Sequence, residues 1–259
     1  MTDYKHIANE ARKTVLNMVF RAQASHIGSN FSVMDVLAVL FEKMDVKKDK
    51  FIASKGWVAA SVYHFLAQKG IIPKEDLERY WKPGEEKYIG LVEPHGVFGL
   101  EFAGGSMGFG LPAGVGFALA KKMDEAGGRI YVLMSDGEMQ IGTTWESVLI
   151  AKQHNLSNLV VLVDNNRLQA MGETKNILNI EPLDERIKSF GWAVQRVNGH
   201  DYGEIETALG KLSNSSPNMI ICDTVKGKGV SFMENNNIYH YKMLSEEEYK
   251  EALSELENA

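Results

Sequence analysis

Three unbroken apolar runs constrain this chain most: Ile130-Tyr131-Val132-Leu133-Met134, Leu159-Val160-Val161-Leu162-Val163 and Met219-Ile220-Ile221-Cys222. A strand wetted on one face alternates apolar and polar residues, whereas an unbroken apolar strand is covered on both faces. Helical patterns over 144–154 and 202–212, and a further strand from Trp192-Ala193-Val194 to Val197, lie between these runs. Strands alternating with helices predict an α/β fold with a parallel sheet covered by helices on both faces. With 259 residues, 44% of them apolar, the chain can bury a sizeable core, and no repeat, linker or low-complexity tract divides it. One domain over 1–259 is expected.

The first part of the chain reads as mostly helical. Ile7, Ala8, Ala11, Val15, Leu16, Val19 and Ala22 recur at helical spacing over 4–24. Ser25-His26-Ile27-Gly28-Ser29-Asn30 reads as a loop by composition, and Ser32 with Asp35 as a capping-box start to a helix through Met44. Phe51-Ile52-Ala53 predicts a short strand, Ser54-Lys55-Gly56 a turn, and residues 57–69 a helix closed by Gly70. Pro73 suits the first turn of another short helix. Residues 82–105, rich in glycine with Pro83 and Pro94 and without a period, predict a long irregular loop, and loops of that length are usually functional. Gly105-Ser106-Met107-Gly108-Phe109-Gly110 then enters an apolar helix, Leu111 to Met123. Ser245 and Glu248 have capping-box spacing at the start of a C-terminal helix.

Charge and composition exclude several function classes. The net charge of -6 lacks the basic excess needed to hold a phosphate backbone, so nucleic acid is not an expected partner. Cys222, the single cysteine, cannot form an internal disulfide and reads as a core residue in a reducing compartment. The N-terminus is polar and no apolar stretch approaches the roughly 18 residues of a membrane span, so neither a signal peptide nor a membrane is expected and the location is read as cytoplasmic.

In open parallel sheets ligands bind beyond the carboxyl ends of the strands. Ser135-Asp136-Gly137-Glu138 follows one apolar strand, and Asp164-Asn165-Asn166-Arg167-Leu168 follows the next, 30 residues on. Asp136 would project into the crevice, and Gly137 would let an anionic ligand approach the backbone. A carboxylate, an amide oxygen and loop carbonyls are hard donors of the kind Mg2+ accepts when phosphate oxygens and water complete its shell, which suggests a metal-diphosphate site. Either residue taken alone could equally cap a turn.

The Asp-Gly and Asn-Asn pair at this spacing resembles the thiamine diphosphate signature of transketolase-like enzymes. Ser25-His26-Ile27-Gly28, Ser54-Lys55-Gly56, Gly105 to Gly110, Gly191-Trp192, Gly199-His200-Asp201, Lys226-Gly227-Lys228-Gly229 and His240 follow in the family's order. The chain resembles the N-terminal, diphosphate-binding subunit of two-gene transketolases. The resemblance implies that Asp136, Asn166 and the Leu168 carbonyl hold Mg2+, and that Gly137, with Glu138 beside it, lies at the cofactor. It also implies that Lys226 and His240 contact diphosphate oxygens and that Ser106, Met107 and Gly108 line the cofactor rings. His26 and His240 would be catalytic, His26 near the reactive carbon as hydrogen-bond donor or proton relay, although an ordinary loop histidine is its bland alternative. His200 reads as structural.

The chain departs from the family pattern at three places. Trp57 stands where the family has the histidine of Ser-Lys-Gly-His, Leu91 stands at the histidine of the loop's Gly-His-Pro, with His95 four residues on, and Ile141 replaces a glutamate near the subunit interface. Cofactor ligands survive while substrate-side groups change, so the donor is expected to be a ketose, a modified or nucleotide-linked sugar, or a 2-oxo acid such as pyruvate. No segment resembles the pyrimidine-binding domain, so an α2β2 heterotetramer with a separately encoded C-terminal subunit is expected. Competing readings are an α-type subunit of a pyruvate-using thiamine diphosphate enzyme, a noncatalytic cofactor-binding subunit, and a dinucleotide-binding dehydrogenase. The last is disfavoured because the glycine-rich turn lacks G-x-G-x-x-G spacing.

Overall fold

A computed structural model describes residues 2–94 and 96–259. The elements run α1 (Tyr4–Arg21), α2 (Ile27–Ser32), α3 (Met34–Lys43), β1 (Lys50–Ala53), α4 (Ala59–Gln68), α5 (Gly110–Met123), β2 (Ile130–Ser135), α6 (Gly142–Gln153) and β3 (Leu159–Asn165). They continue with β4 (Leu168–Gln169), β5 (Gly172–Glu173), α7 (Thr174–Ile177), α8 (Leu183–Ser189), β6 (Ala193–Asn198), α9 (Tyr202–Gly210), β7 (Asn218–Asp223) and α10 (Glu246–Glu257). Five strands form one all-parallel sheet in the order β1-β2-β3-β7-β6, and β4 and β5 make a small antiparallel hairpin.

The apolar runs are covered on both faces, as their composition requires. Tyr131, Leu133, Val160, Leu162, Ile220 and Cys222 pack with residues of α1 to α4, α9 and α10. Their neighbours Ile130, Val132, Met134, Leu159, Val161, Val163, Met219 and Ile221 pack with residues of α5, α6 and α8. The two-residue period of a strand thus divides each run between two helical layers. β6, at the sheet edge, is half wetted and reads accordingly. Among the described residues no helix is long and apolar enough to cross a membrane.

Chain order reverses between β3 and β7, because β6 follows β3 in sequence yet lies beyond β7 in the sheet. Thr224, just past β7, bonds Asp164 directly where β3 and β7 end. The register places Ser135 opposite Asp164, so Asp136 emerges beside that carboxylate.

Local differences from the sequence expectations have specific causes. The expected loop at 25–30 is mostly the short helix α2, because its polar residues bond inward: Asn30 Oδ1 accepts from the Ser61 amide at 3.1 Å and hydroxyl at 2.8 Å. The Ser32/Asp35 capping box does not form. Ser32 donates to Asp164 and Asp35 takes Arg12, so buried partners outcompete the helix end, which begins at Met34 with no side-chain cap. The Ser245/Glu248 box forms in full. The hairpin β4–β5 and helices α7 and α8 had no expectation, being too short to show a period.

Candidate active site

The carboxyl ends of β1, β2 and β3 surround a cavity of about 480 Å³, closed by the turns at 25–29 and 240–241 and by the segment around Met107. Its floor is a chain of charges. Asp164 is fully enclosed by Lys55, Ser32 and Thr224, and Asn166 Nδ2 adds a bond at 3.2 Å. Burial works against its charge, but the Lys55 ammonium and the two hydroxyls outweigh that and hold the carboxyl below the ordinary range.

Asp136 is the opposite case. One carboxylate oxygen accepts from the Gly137 amide at 2.8 Å, while Oδ2 is buried without any partner. Burial first, and then the negative charge of Asp164, push its pKa up to about 7. A buried oxygen with nothing bonded to it is costly, and a cation beside it would remove the cost. Asn166 Oδ1 accepts from the Leu168 amide at 3.0 Å, which turns the Asn166–Leu168 segment back over the cavity. Asp136, Asn166 and Leu168 are thus brought together in one wall, and the donor chemistry suits a hard divalent cation.

Gly137 faces the same cavity, where a Cβ would come within 3.2 Å of Met107 Cε. Glu138 is spent inside the protein: Oε1 takes Ser54 and the Gly108 amide, and Oε2 takes the Ser135 amide at 2.9 Å. It brackets the ends of β1 and β2 to the glycine-rich turn. Met107 is exposed in the cavity wall, whereas Ser106 is exposed outside it and Gly108 is buried beneath.

Two of the three departures from the family pattern grip this same turn. At Gly105, with φ +101, a side chain would meet Leu91 Cδ2 at 2.3 Å, and at Gly108, with φ +80, it would meet Ile141 Cγ2 at 2.4 Å. Leu91 and Ile141 therefore pack directly on backbone that glycine alone leaves bare. Trp57 enters the cavity wall and lies flat on His26, ring centroids 4.3 Å apart at 9°. Unlike the indoles of Trp145 and Trp192, its N–H has no partner among the described residues. His95 lies outside the described residues.

His26 adopts a left-handed conformation, φ 69, which aims its ring into the cavity, and its amide donates to the His240 carbonyl at 3.1 Å. Its Nδ1 shares a 2.6 Å hydrogen bond with the Ser25 hydroxyl. His240 meets His26 edge-on at 4.7 Å. Lys226 lies one layer below, its ammonium donating to Asn237 Oδ1 and His240 Nδ1, both at 2.9 Å. An ammonium has no lone pair, so Nδ1 of His240 is the acceptor and Nε2 carries the ring proton. Burial, then the Lys55 charge, lowers Lys226 to about 8. Burial, then Lys226, lowers His26 to about 4 and His240 to about 3, so both imidazoles are neutral near pH 7.

These depressed values make a stability prediction. Both histidines gain protons on unfolding below their ordinary pKa of about 6.5, so the stability they contribute is complete above that pH and is lost as the pH falls through 4. His26 adds up to about 1.4 kcal/mol per pH unit of slope in that window, and solvent screening leaves the less buried His240 a smaller share. His26→Asn, which tolerates the left-handed backbone, is expected to flatten urea-unfolding free energy plotted between pH 4.5 and 6.5. Identical slopes for variant and wild type would contradict the assignment.

Sequence reasoning missed Lys55 and Asp164 as the buried charges beside Asp136, and Trp81 and Tyr241 as cavity walls. The signal for Lys55 was available, since a charged residue directly after an apolar strand is the same cue that singled out Asp136. His200 is structural, as expected: Nδ1 meets Asp35 at 2.7 Å and Nε2 accepts the Val225 amide at 2.8 Å.

Comparison with known proteins identifies the family. The family described as transketolase, thiamine diphosphate binding domain, matches residues 3–257. The chain is 34% identical to a subunit of the apulose-4-phosphate transketolase of Phocaeicola vulgatus, covering 95% of this chain and 90% of that one. It is 35% identical to the 6-deoxy-6-sulfo-D-fructose transketolase subunit SqwG of Clostridium sp., covering 98% and 96%. The solved transketolase of Campylobacter jejuni superposes with a TM-score of 0.92 at 30% identity, covering 98% of this chain but 42% of that one, so the chain spans less than half of the full-length enzyme. By these matches the chain belongs to the transketolase family and carries its thiamine diphosphate-binding domain.

Proposed function

We propose that this chain is the N-terminal subunit of a two-subunit transketolase-like enzyme that transfers a two-carbon ketol or acyl unit from a ketose-type or 2-oxo acid donor to an aldehyde or ketone acceptor. The observation that carries the reading is the unpartnered, buried Oδ2 of Asp136 in the cavity wall beside Asn166 and Leu168. Asp136, Asn166 Oδ1 and the Leu168 carbonyl would hold Mg2+, and through it a diphosphate, with Gly137 keeping the approach clear. Lys226 and His240 would add positive and N–H donors toward the same oxygens. Ser106, Met107 and Gly108, with Glu138 holding the turn, would line the rings. Thiamine diphosphate supplies a carbanion and an electron sink when bound, while the protein determines what reaches it.

The chain's own residues prepare that cavity in definite ways. His26 is held neutral, so its imidazole can both donate and accept a proton at the donor's carbonyl oxygen. Trp57 narrows the wall beside it and supplies one N–H and no acceptor, so a substrate group meeting it is an acceptor. Met107 and Tyr241, in the cavity wall, expose 44 and 63% of their surface, and Phe109 and Met171, close to wall residues in the chain, expose 60 and 83%. Apolar exposure of this kind supports a second polypeptide closing the site. The relatives that are themselves named as transketolase subunits support the same arrangement, in which a pyrimidine-domain subunit completes an α2β2 assembly.

Turnover of the reconstituted pair with a panel of ketose phosphates and modified ketoses against pyruvate tests this. Carbon transfer from a ketose is expected. Turnover with pyruvate and with no ketose would narrow the donor to the 2-oxo acid class, and turnover with neither would refute the reading.

A further inference from the structure

The turn carrying Lys226 is closed locally by a backbone bond, from the Lys228 amide to the Val225 carbonyl at 3.2 Å, and by Glu234 Oε1, which takes the Gly229 amide at 3.1 Å. In Lys226-Gly227-Lys228-Gly229 both glycines have positive φ, +80 and +100, and glycine is the residue least committed to any conformation. The lysine it presents is nevertheless buried and aimed at His240. Bonds made by more distant parts of the chain add to that local closure.

A buried cluster on the helical side of the sheet makes two of those bonds, one on each side of the lysine. Arg12 of α1 grips Asp35 of α3 with both terminal nitrogens, at 3.0 and 2.7 Å, and its Nε donates to the Lys228 carbonyl at 2.9 Å. Asp35 also receives the Tyr202 hydroxyl at 2.8 Å and meets His200 Nδ1 at 2.7 Å. The backbone N–H of Val225 can only donate, so His200 Nε2, 2.8 Å away, is unprotonated and the ring proton sits on Nδ1, pointing at Asp35. One carboxylate therefore fixes both the tautomer of His200 and the pose of Arg12. Burial opposes the Asp35 charge, but Arg12 and His200 hold its carboxyl well below the ordinary range.

We propose that Asp35, through His200 and Arg12, is the positioning residue for Lys226: the pair grips Val225 and Lys228, the residues on either side of Lys226-Gly227, and so sets the ammonium against His240. This rests on the reading that Lys226 serves the bound diphosphate. Asp35, His200 and Arg12 do not line the cavity, so none is a catalytic residue. Gly227 N also donates to the Gly28 carbonyl at 2.9 Å, which joins the gripped turn to the helix after His26. A loosened grip would therefore reach both sides of the cavity.

The test uses the full chain with His200→Phe, which removes the acceptor, and His200→Gln, whose side-chain oxygen can replace it. Amide exchange at residues 225–229 is expected to quicken at least tenfold in His200→Phe and to return most of the way in His200→Gln, with β3 unchanged in both. Thiamine diphosphate affinity in Mg2+ is expected to fall about tenfold in His200→Phe, and to fall no further when that change is added to Lys226→Met. Unaltered exchange and affinity in His200→Phe would overturn the proposal, as would a full tenfold loss on the Lys226→Met background. If Lys226→Met alone left affinity unaltered, the diphosphate reading of Lys226 would fall, while exchange at 225–229 would still decide the grip.

Discussion

Asp136→Asn is expected to lower the affinity for thiamine diphosphate in Mg2+ at least a hundredfold while leaving the fold intact. Asparagine has the same shape, so the packing around residue 136 is kept, but it replaces an anionic ligand with an amide and removes the charge that makes the site attractive to a hard cation. The effect on stability runs the other way. Burial and the neighbouring Asp164 charge raise the Asp136 pKa to about 7, against about 3.9 in an unfolded chain. Ionisation therefore costs the cofactor-free fold progressively between pH 4 and 7, and in full above 7. At pH 8 without metal the variant should unfold at higher urea than wild type, and the advantage should vanish near pH 4. Binding loss paired with stability gain is the signature of a residue kept for a ligand rather than for the fold. Equal affinity for wild type and variant, measured by titration calorimetry, would contradict the metal assignment.

The second large effect concerns the proposed partner subunit. The chain spans 42% of the Campylobacter jejuni transketolase chain it superposes on; Met107 and Tyr241 stand exposed in its cavity wall, and Phe109 and Met171, close to wall residues in sequence, are exposed too. Turnover by this chain alone is expected to be less than a thousandth of that of its mixture with a pyrimidine-domain subunit. Phe109, 60% exposed and directly after Gly108, is the residue to change. Phe109→Asp places a charge in the proposed contact surface and is expected to weaken assembly at least tenfold by ultracentrifugation, with the fold unaffected. Full turnover from the purified single chain would refute the two-subunit account.

How much of this was legible in the sequence depends on which physical signal each residue carries. The sheet was readable because unbroken apolar runs such as Leu159–Val163 have one stable setting, between two helical layers. Asp136 and Asn166 were readable because polar residues directly after such strands emerge at the crevice. Ser32 and Asp35 were misread, because a capping box is a local pattern and their actual partners, Asp164 and Arg12, are 132 and 23 residues away. Lys226 was placed at the diphosphate by resemblance, but its position one layer under His240 depends on contacts from Asn237 and Gly28 that no spacing reveals. The roles of Leu91 and Ile141 were invisible for the same reason, since each matters through a glycine that folding brings beneath it. Trp57 was legible as a departure, and the structure adds that its ring is stacked on His26.

Calorimetric titration of the chain with thiamine diphosphate, with and without Mg2+, tests the central claim most directly. One saturable site per chain that requires Mg2+, and that NAD does not occupy, is the predicted result. Cofactor binding of equal strength with the divalent ion omitted, or binding of NAD in its place, would contradict a metal-diphosphate site built on Asp136, Asn166 and Leu168.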